Sequence, residues 1–217
     1  MIYLAEFLGS FFLVATVIGS GIMGDRLSDD VAVSLLGNTI ATGAILFVLI
    51  KMFGKISGAH FNPAVSIVFL LRKEIKRTKF LFYILFQFLG GILAVFVTHY
   101  IFCSEGEPLA LFQISNHSPR SGYLGLLVSE IVATSGLILT ILFVRNNDEG
   151  SVATAVALFI TAGYWFTSST SFANPMVTFS RIFTDTFTGI APSSVPYFLI
   201  GQLIGILIAY VIAKKIK

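Results

Sequence analysis

Two Asn-Pro pairs are the residues most able to do chemistry in this chain. One lies in Ser57-Gly58-Ala59-His60-Phe61-Asn62-Pro63-Ala64-Val65, the other in Ser171-Phe172-Ala173-Asn174-Pro175-Met176-Val177. Each opens about nine or ten residues compatible with a helix, running to Leu71 and to Phe183. Asn is a strong N-cap, and Pro is tolerated at the first helical position because the N–H it lacks would be unpaired there anyway. Such a run is roughly 15 Å long, half of a bilayer core of about 30 Å. Two half-helices entering from opposite faces would meet near the midplane. Asn62 and Asn174 would then offer amide donors to a solute oxygen, beside helix ends carrying roughly half a positive charge each. A water accepting from both breaks a proton wire, and the dipoles repel cations. The plainer reading is that each Asn merely caps its own helix in a surface loop. Two such pairs in apolar connections on opposite sides of the membrane favour the pore.

Other polar residues fit a transport protein better than an enzyme. Glu6 and Glu130 lie inside apolar runs, where an ionisable group needs a partner. A proton-coupled carrier would use them as relays, whereas their matched placement in two halves of the chain favours a structural role. Gln87 and Gln202 read as residues joining helices by hydrogen bonds, with neighbouring glycines for close packing. His60, His99, His117 and Cys103 have no metal-ligand spacing, no nucleophile pairs with a base, and nothing calls for a cofactor. Arg181 and Asp185, four apart, read most simply as a surface ion pair.

These residues must be positioned by a membrane bundle. The 217 residues are 56% hydrophobic and 12% charged, with mean hydropathy +0.90. Soluble domains carry about 25% charged residues. The net charge of +3 is too weak a basic balance for nucleic acid. Six apolar stretches approach the roughly 20 residues a spanning helix needs: about 2–23, 31–53, 80–103, 122–144, 151–166 and 195–213, the fifth short. The runs are continuous, unlike the alternation of a β-barrel. Lys51, Lys55, Arg72, Lys73, Lys76, Arg77, Lys79, Arg145, Lys214, Lys215 and Lys217 fall on the side shared by the termini. Arg26, Arg120 and Arg181 fall on the other. The excess of Lys and Arg marks the cytoplasmic side, so both termini are expected there, in a cell membrane crossed several times.

The order Glu, Asn-Pro, Gln-x-x-Gly occurs twice, in residues about 1–103 and 122–217 of one channel domain, 1–217. Three spans per copy make the copies face opposite ways, an inverted repeat typical of transporters. With these motifs the chain resembles the aquaporin and aquaglyceroporin (major intrinsic protein) family. Ser57 to Val65 is similar to that family's SGxHxNPAV stretch almost residue for residue. The resemblance implies an all-α bundle of six transmembrane helices plus two re-entrant half-helices. It also implies one pore per protomer in a homotetramer, passing small neutral solutes across the lipid bilayer. Glu6 and Glu130 would hold the re-entrant backbone, and His60 would line the cytoplasmic vestibule.

The second motif departs from the family. Met176 stands where it has Ala, unlike Ala64 in the first, and Val177 stands where it usually has Arg. The nearest Arg is Arg181, about two turns on, roughly 10 Å further along the same face as Asn174, where it could line a vestibule. Counting from the family's motifs places the selectivity filter at Thr42, Ser171 and Val177, with either Ala162 or Tyr164 as the fourth member. The small uncharged members imply a wide, amphipathic opening without a fixed cation. Water, glycerol and similar polyols, and neutral metalloid hydroxides such as arsenous acid, fit it. The rival function is a proton-coupled transporter using Glu6 or Glu130.

Overall fold

The computed structural model describes residues 1–103, 111–118 and 120–215; Lys217 lies outside these. The described residues form eight α-helices and no strand: α1 (Ile2–Leu27), α2 (Val31–Ser57), α3 (Pro63–Leu71), α4 (Arg77–Ile101), α5 (Tyr123–Asn147), α6 (Val152–Phe166), α7 (Pro175–Ser180) and α8 (Val195–Lys215). Five segments, those of α1, α2, α4, α5 and α8, are long and apolar enough to cross a membrane. α6 is shorter, at 15 residues, or roughly 22 Å. The short α3 and α7 are the expected half-helices, but the second differs in form. α7 has six α-helical residues and then tightens into a 3-10 turn, Arg181–Phe183.

Local chemistry sets the boundaries. The Asp30 carboxylate caps α2 by accepting from the Ala32 N–H at 2.8 Å, and Gly58, at φ 95, ends it in a left-handed conformation. Asn62 caps α3 and Asn174 caps α7, each followed by Pro at the first position.

Packing follows the two halves. α1 lies against α2 and α4, α5 against α6 and α8, and α2 meets α6 across the halves. Glycines permit the closest approaches. A Cβ at Gly90 of α4 would lie 2.3 Å from the Phe7 carbonyl of α1, and one at Gly205 of α8 would lie 2.9 Å from the Ile131 carbonyl of α5. These are the glycines of the two Gln-x-x-Gly motifs, and small residues at such crossings let helix backbones touch. Both α3 and α7 wedge between α4 and α8.

The bundle is apolar outside and polar within. Phe12, Ile40, Leu85, Val128 and Leu207 are exposed, while Glu6, Glu130, Gln87 and Gln202 are fully buried. An apolar outer surface this extensive suits hydrocarbon, not water. At one end, Arg145 binds Glu74 at 2.8 and 3.1 Å, Arg72 binds Glu74 at 2.5 Å, and Lys51 reaches the Gly150 carbonyl at 3.0 Å. The exposed Lys73, Lys76 and Arg77 belong to this end. Arg26, bonded to the Phe102 carbonyl at 2.6 Å, marks the other.

Candidate functional site

Both half-helices are reached through short stretches of strained backbone. Gly58, Ala59 and Phe61 before α3, and Thr170, Ser171 and Ala173 before α7, have positive φ. For residues with a side chain this conformation costs about 1–3 kcal/mol each, so something must hold it. Glu6 holds the first stretch, accepting from the N–H groups of His60 (3.0 Å) and Phe61 (2.7 Å), the Ser57 hydroxyl (2.6 Å) and the Gln87 amide (2.8 Å). Glu130 holds the second, accepting from the N–H groups of Phe172 (3.1 Å) and Ala173 (2.9 Å) and the Gln202 amide (2.7 Å). Gln87 and Gln202 also bond to the half-helices, at Ser66 (3.1 Å) and Thr178 (2.9 Å).

The two stretches are cross-linked by the motif asparagines. The Asn62 amide donates to the Ala173 carbonyl at 2.7 Å, and the Asn174 amide donates to the Phe61 carbonyl at 3.0 Å. Each Asn oxygen meanwhile caps its own helix, accepting from Ala64 N–H (2.8 Å) and from Met176 N–H (3.1 Å). An Asn amide carries two N–H donors, so one on each remains uncommitted. The capping and pore readings of these residues therefore describe the same side chains.

Both asparagines border a cavity of about 90 Å³ that runs beside α2 from Thr42 to Ile50. At about 10–15 Å³ per water, it has room for a short file of waters. Its walls differ in character. Leu13, Val17, Leu46, Leu137, Val156 and Ile160 make one apolar, while the re-entrant stretches supply His60, Asn62, Thr170, Ser171 and Asn174. His60 is fixed by Ser66 (Nδ1 to Oγ, 3.0 Å) and packs edge-on to Tyr83.

At the end of the cavity away from His60, Thr42, Tyr164, Ser171, Val177 and Arg181 converge. The Tyr164 and Thr42 hydroxyls are 3.0 Å apart. Tyr164 thus stands at the lining, whereas Ala162, exposed on the outside of α6, does not. Two residues turn a helix by about 200°, so only one of the pair can face inward. Gly163 between them leaves room for Ser171, whose Oγ would lie 2.5 Å from a Cβ there.

Other expectations need correction. Met176 is not in the cavity lining. It is fully buried toward α4, where Gly91 makes space for its sulfur. Ala64 packs with Ile138 and Ile206, while Pro63 and Pro175 border an outer groove lined by α4 and α8. Arg181 and Asp185 form no ion pair; Asp185 accepts from Asn116 N–H at 3.0 Å and lies 3.5 Å from His117. Arg181 is instead buried beneath a return of the chain, with Nε donating to the Thr188 carbonyl and Cζ 3.7 Å above the Phe172 ring. The pore mouth therefore has a guanidinium that the residue at 177 does not provide. Sequence reasoning missed Phe172 and Thr188 in this role; the glycines that let the chain close here, Gly21 and Gly189, were the available signal.

Residues 2–151 match the major intrinsic protein family. The chain is 45% identical to "Aquaglyceroporin AqpS" of Rhizobium meliloti (strain 1021) over 210 residues, 97% of this chain and 87% of that one. It is 29% identical over 166 residues to aquaporin-4 of Mus musculus, covering 75% of this chain and 51%, about half, of the relative. Its fold matches the X-ray structure of the aquaglyceroporin from Plasmodium falciparum with a TM-score of 0.74 and 25% identity, covering 98% of this chain and 93% of that one. The chain belongs to the major intrinsic protein family of multi-pass membrane channels, which pass small neutral solutes and are not enzymes.

Proposed function

We propose that this protein is a passive channel for water, glycerol and similar polyols, with neutral metalloid hydroxides such as arsenous acid in the same class. The observation that carries this is the amphipathic cavity, mainly apolar along α1, α2, α5 and α6 apart from the Thr42 and Tyr164 hydroxyls, and presenting His60, Asn62, Thr170, Ser171 and Asn174 along the re-entrant stretches. A polyol lays its carbon chain on the first wall and its hydroxyls on the second. The relative named an aquaglyceroporin, at 45% identity, supports the reading.

In this reading Thr42, Tyr164, Ser171 and Val177 form the filter, and Ala162 has no part in it. Asn62 and Asn174 each give one N–H to the passing solute. A water that accepts from both cannot relay a proton, so protons are excluded. His60 lines the inner vestibule. Both termini are cytoplasmic in a cell membrane, on the side of Arg72 to Lys79, and four copies of the single channel domain, an inverted repeat, assemble with one pore each, as the family resemblance implies.

The rival carrier needs a carboxylate that meets both solute and proton. Neither Glu6 nor Glu130 borders the cavity, and both are occupied by backbone and amide donors. Light scattering from proteoliposomes after a glycerol step tests the channel. Flux should be linear in the gradient and indifferent to a pH difference; saturation together with a response to pH would overturn it.

A further inference from the structure

We propose that Arg181 is the charge-selecting residue of this pore, supplying from the end of α7 the fixed cation that Val177 does not. The proposal rests on the channel reading above. Among the described residues lining the cavity, Arg181 is the one Lys or Arg, and no Asp or Glu is present. No carboxylate forms an ion pair with it among the described residues: Asp185 is engaged by Asn116 and His117, and Glu130, which acts on it only through space, is held by the Phe172 and Ala173 N–H groups and by Gln202. Among the described residues the guanidinium has one hydrogen-bond acceptor, the Thr188 carbonyl on Nε. Its four Nη hydrogens are left for whatever occupies the cavity.

The chain is shaped to hold this group in place. Arg181 N–H and carbonyl anchor the turn, the carbonyl accepting from Ile190 N–H at 3.1 Å. Thr188 reaches it because Gly21 of α1 admits its methyl group, which would lie 2.4 Å from a Cβ there. Gly189 sits where a Cβ would come within 2.1 Å of the Thr184 carbonyl. On the other side the guanidinium carbon lies over the Phe172 ring, 3.7 Å from its centroid, a contact that keeps a cation while partly replacing its water. A second observation points to a ligand beside it. Ser171, in the same lining and 2% exposed, has a hydroxyl with no partner. Guanidinium, Ser171 hydroxyl and the Tyr164–Thr42 pair together make a ring that receives a neutral oxygen and repels a metal cation.

A unit charge within about 10 Å of a passing monovalent cation, at an effective dielectric constant near 20, changes its rate of crossing at least roughly tenfold. The test compares wild type, Arg181→Gln and Arg181→Lys in proteoliposomes, measuring sodium leak and glycerol flux on the same vesicles. Arg181→Gln keeps a donor for the Thr188 carbonyl and removes the charge; Arg181→Lys keeps the charge. The expected result is a roughly tenfold rise in sodium leak per folded channel for Arg181→Gln, whatever the change in its glycerol flux, and a leak near wild type for Arg181→Lys. Adding Val177→Arg to Arg181→Gln should restore rejection. Equal leak in Arg181→Gln and wild type, or equal rises in both variants, overturns the proposal. So does loss of glycerol flux in both without a change in leak, which would make Arg181 a structural clamp. If neither variant folds, the reversal potential of the wild-type residual leak across a potassium chloride gradient decides: anion preference supports the proposal, and cation preference sinks it. A wild type that rejects sodium but passes no glycerol would instead defeat the channel reading.

Discussion

Replacing Glu6 by Gln separates a structural carboxylate from a proton relay. Oε1 of Glu6 accepts from Ser57 Oγ and His60 N–H, and Oε2 accepts from Phe61 N–H and Gln87 Nε2. An introduced amide leaves one oxygen as acceptor and turns the other into a donor facing two donors. The Ser57 hydroxyl can rotate, and Gln87 can turn over to present its oxygen, which has no partner in the structure. A backbone N–H has no such freedom. With the amide on the Phe61 side, that N–H is buried without an acceptor at a cost of about 1–3 kcal/mol. Loss of the charge roughly halves the strength of the bonds that remain, for a total of about 2–5 kcal/mol. The assay is thermal unfolding of purified Glu6→Gln in detergent, with glycerol flux per folded channel measured in liposomes. A clearly lowered unfolding temperature with flux per folded channel kept within about twofold is expected. A variant as stable as wild type that loses a pH-driven component of uptake would refute the reasoning and restore the carrier.

Val177→Arg should cut glycerol flux at least about tenfold while largely sparing water flow, because a guanidinium adds bulk and five donors at the constriction; unchanged glycerol permeation in stopped-flow scattering would remove Val177 from the filter. Gly90→Ala drives a Cβ to 2.3 Å from the Phe7 carbonyl and should destabilise by about 1–3 kcal/mol, whereas Gly37→Ala, with open space around it, should stabilise α2 by up to about 1 kcal/mol; paired melting curves check both. Burial draws the Glu74 carboxyl upward, but hydrogen bonds from Arg145 and Arg72 outweigh it and hold the pKa below its ordinary 4.5. Because the folded value is the lower one, this contribution is present above pH 4.5 and fades as the pH falls through the depressed value. Arg145→Gln should therefore lower stability near neutrality and lose that effect in acid, as melting against pH would record.

The spans, the half-helices and their caps were legible in the sequence because each rests on local chemistry. An apolar run of some 20 residues, or Asn followed by Pro, acts within its own stretch of chain. The matched Glu and Gln residues were legible as well, since a carboxylate inside an apolar run demands partners wherever the chain finds them. Which donors those are was decided by tertiary structure, which brings the Ser57 hydroxyl, 51 residues away, and backbone 54 and 55 residues away onto Glu6. Which of Ala162 and Tyr164 faces the cavity was set there too, by the rotation of α6, as was the outward turn of Met176 into the space at Gly91. Arg181 illustrates the limit most plainly. Counting along a regular helix carries it roughly 10 Å past Asn174, but α7 tightens into a 3-10 turn and the Thr188 segment folds back over it. Its place at the pore mouth depends on clearances at Gly21 and Gly189, which exist only once distant segments have packed.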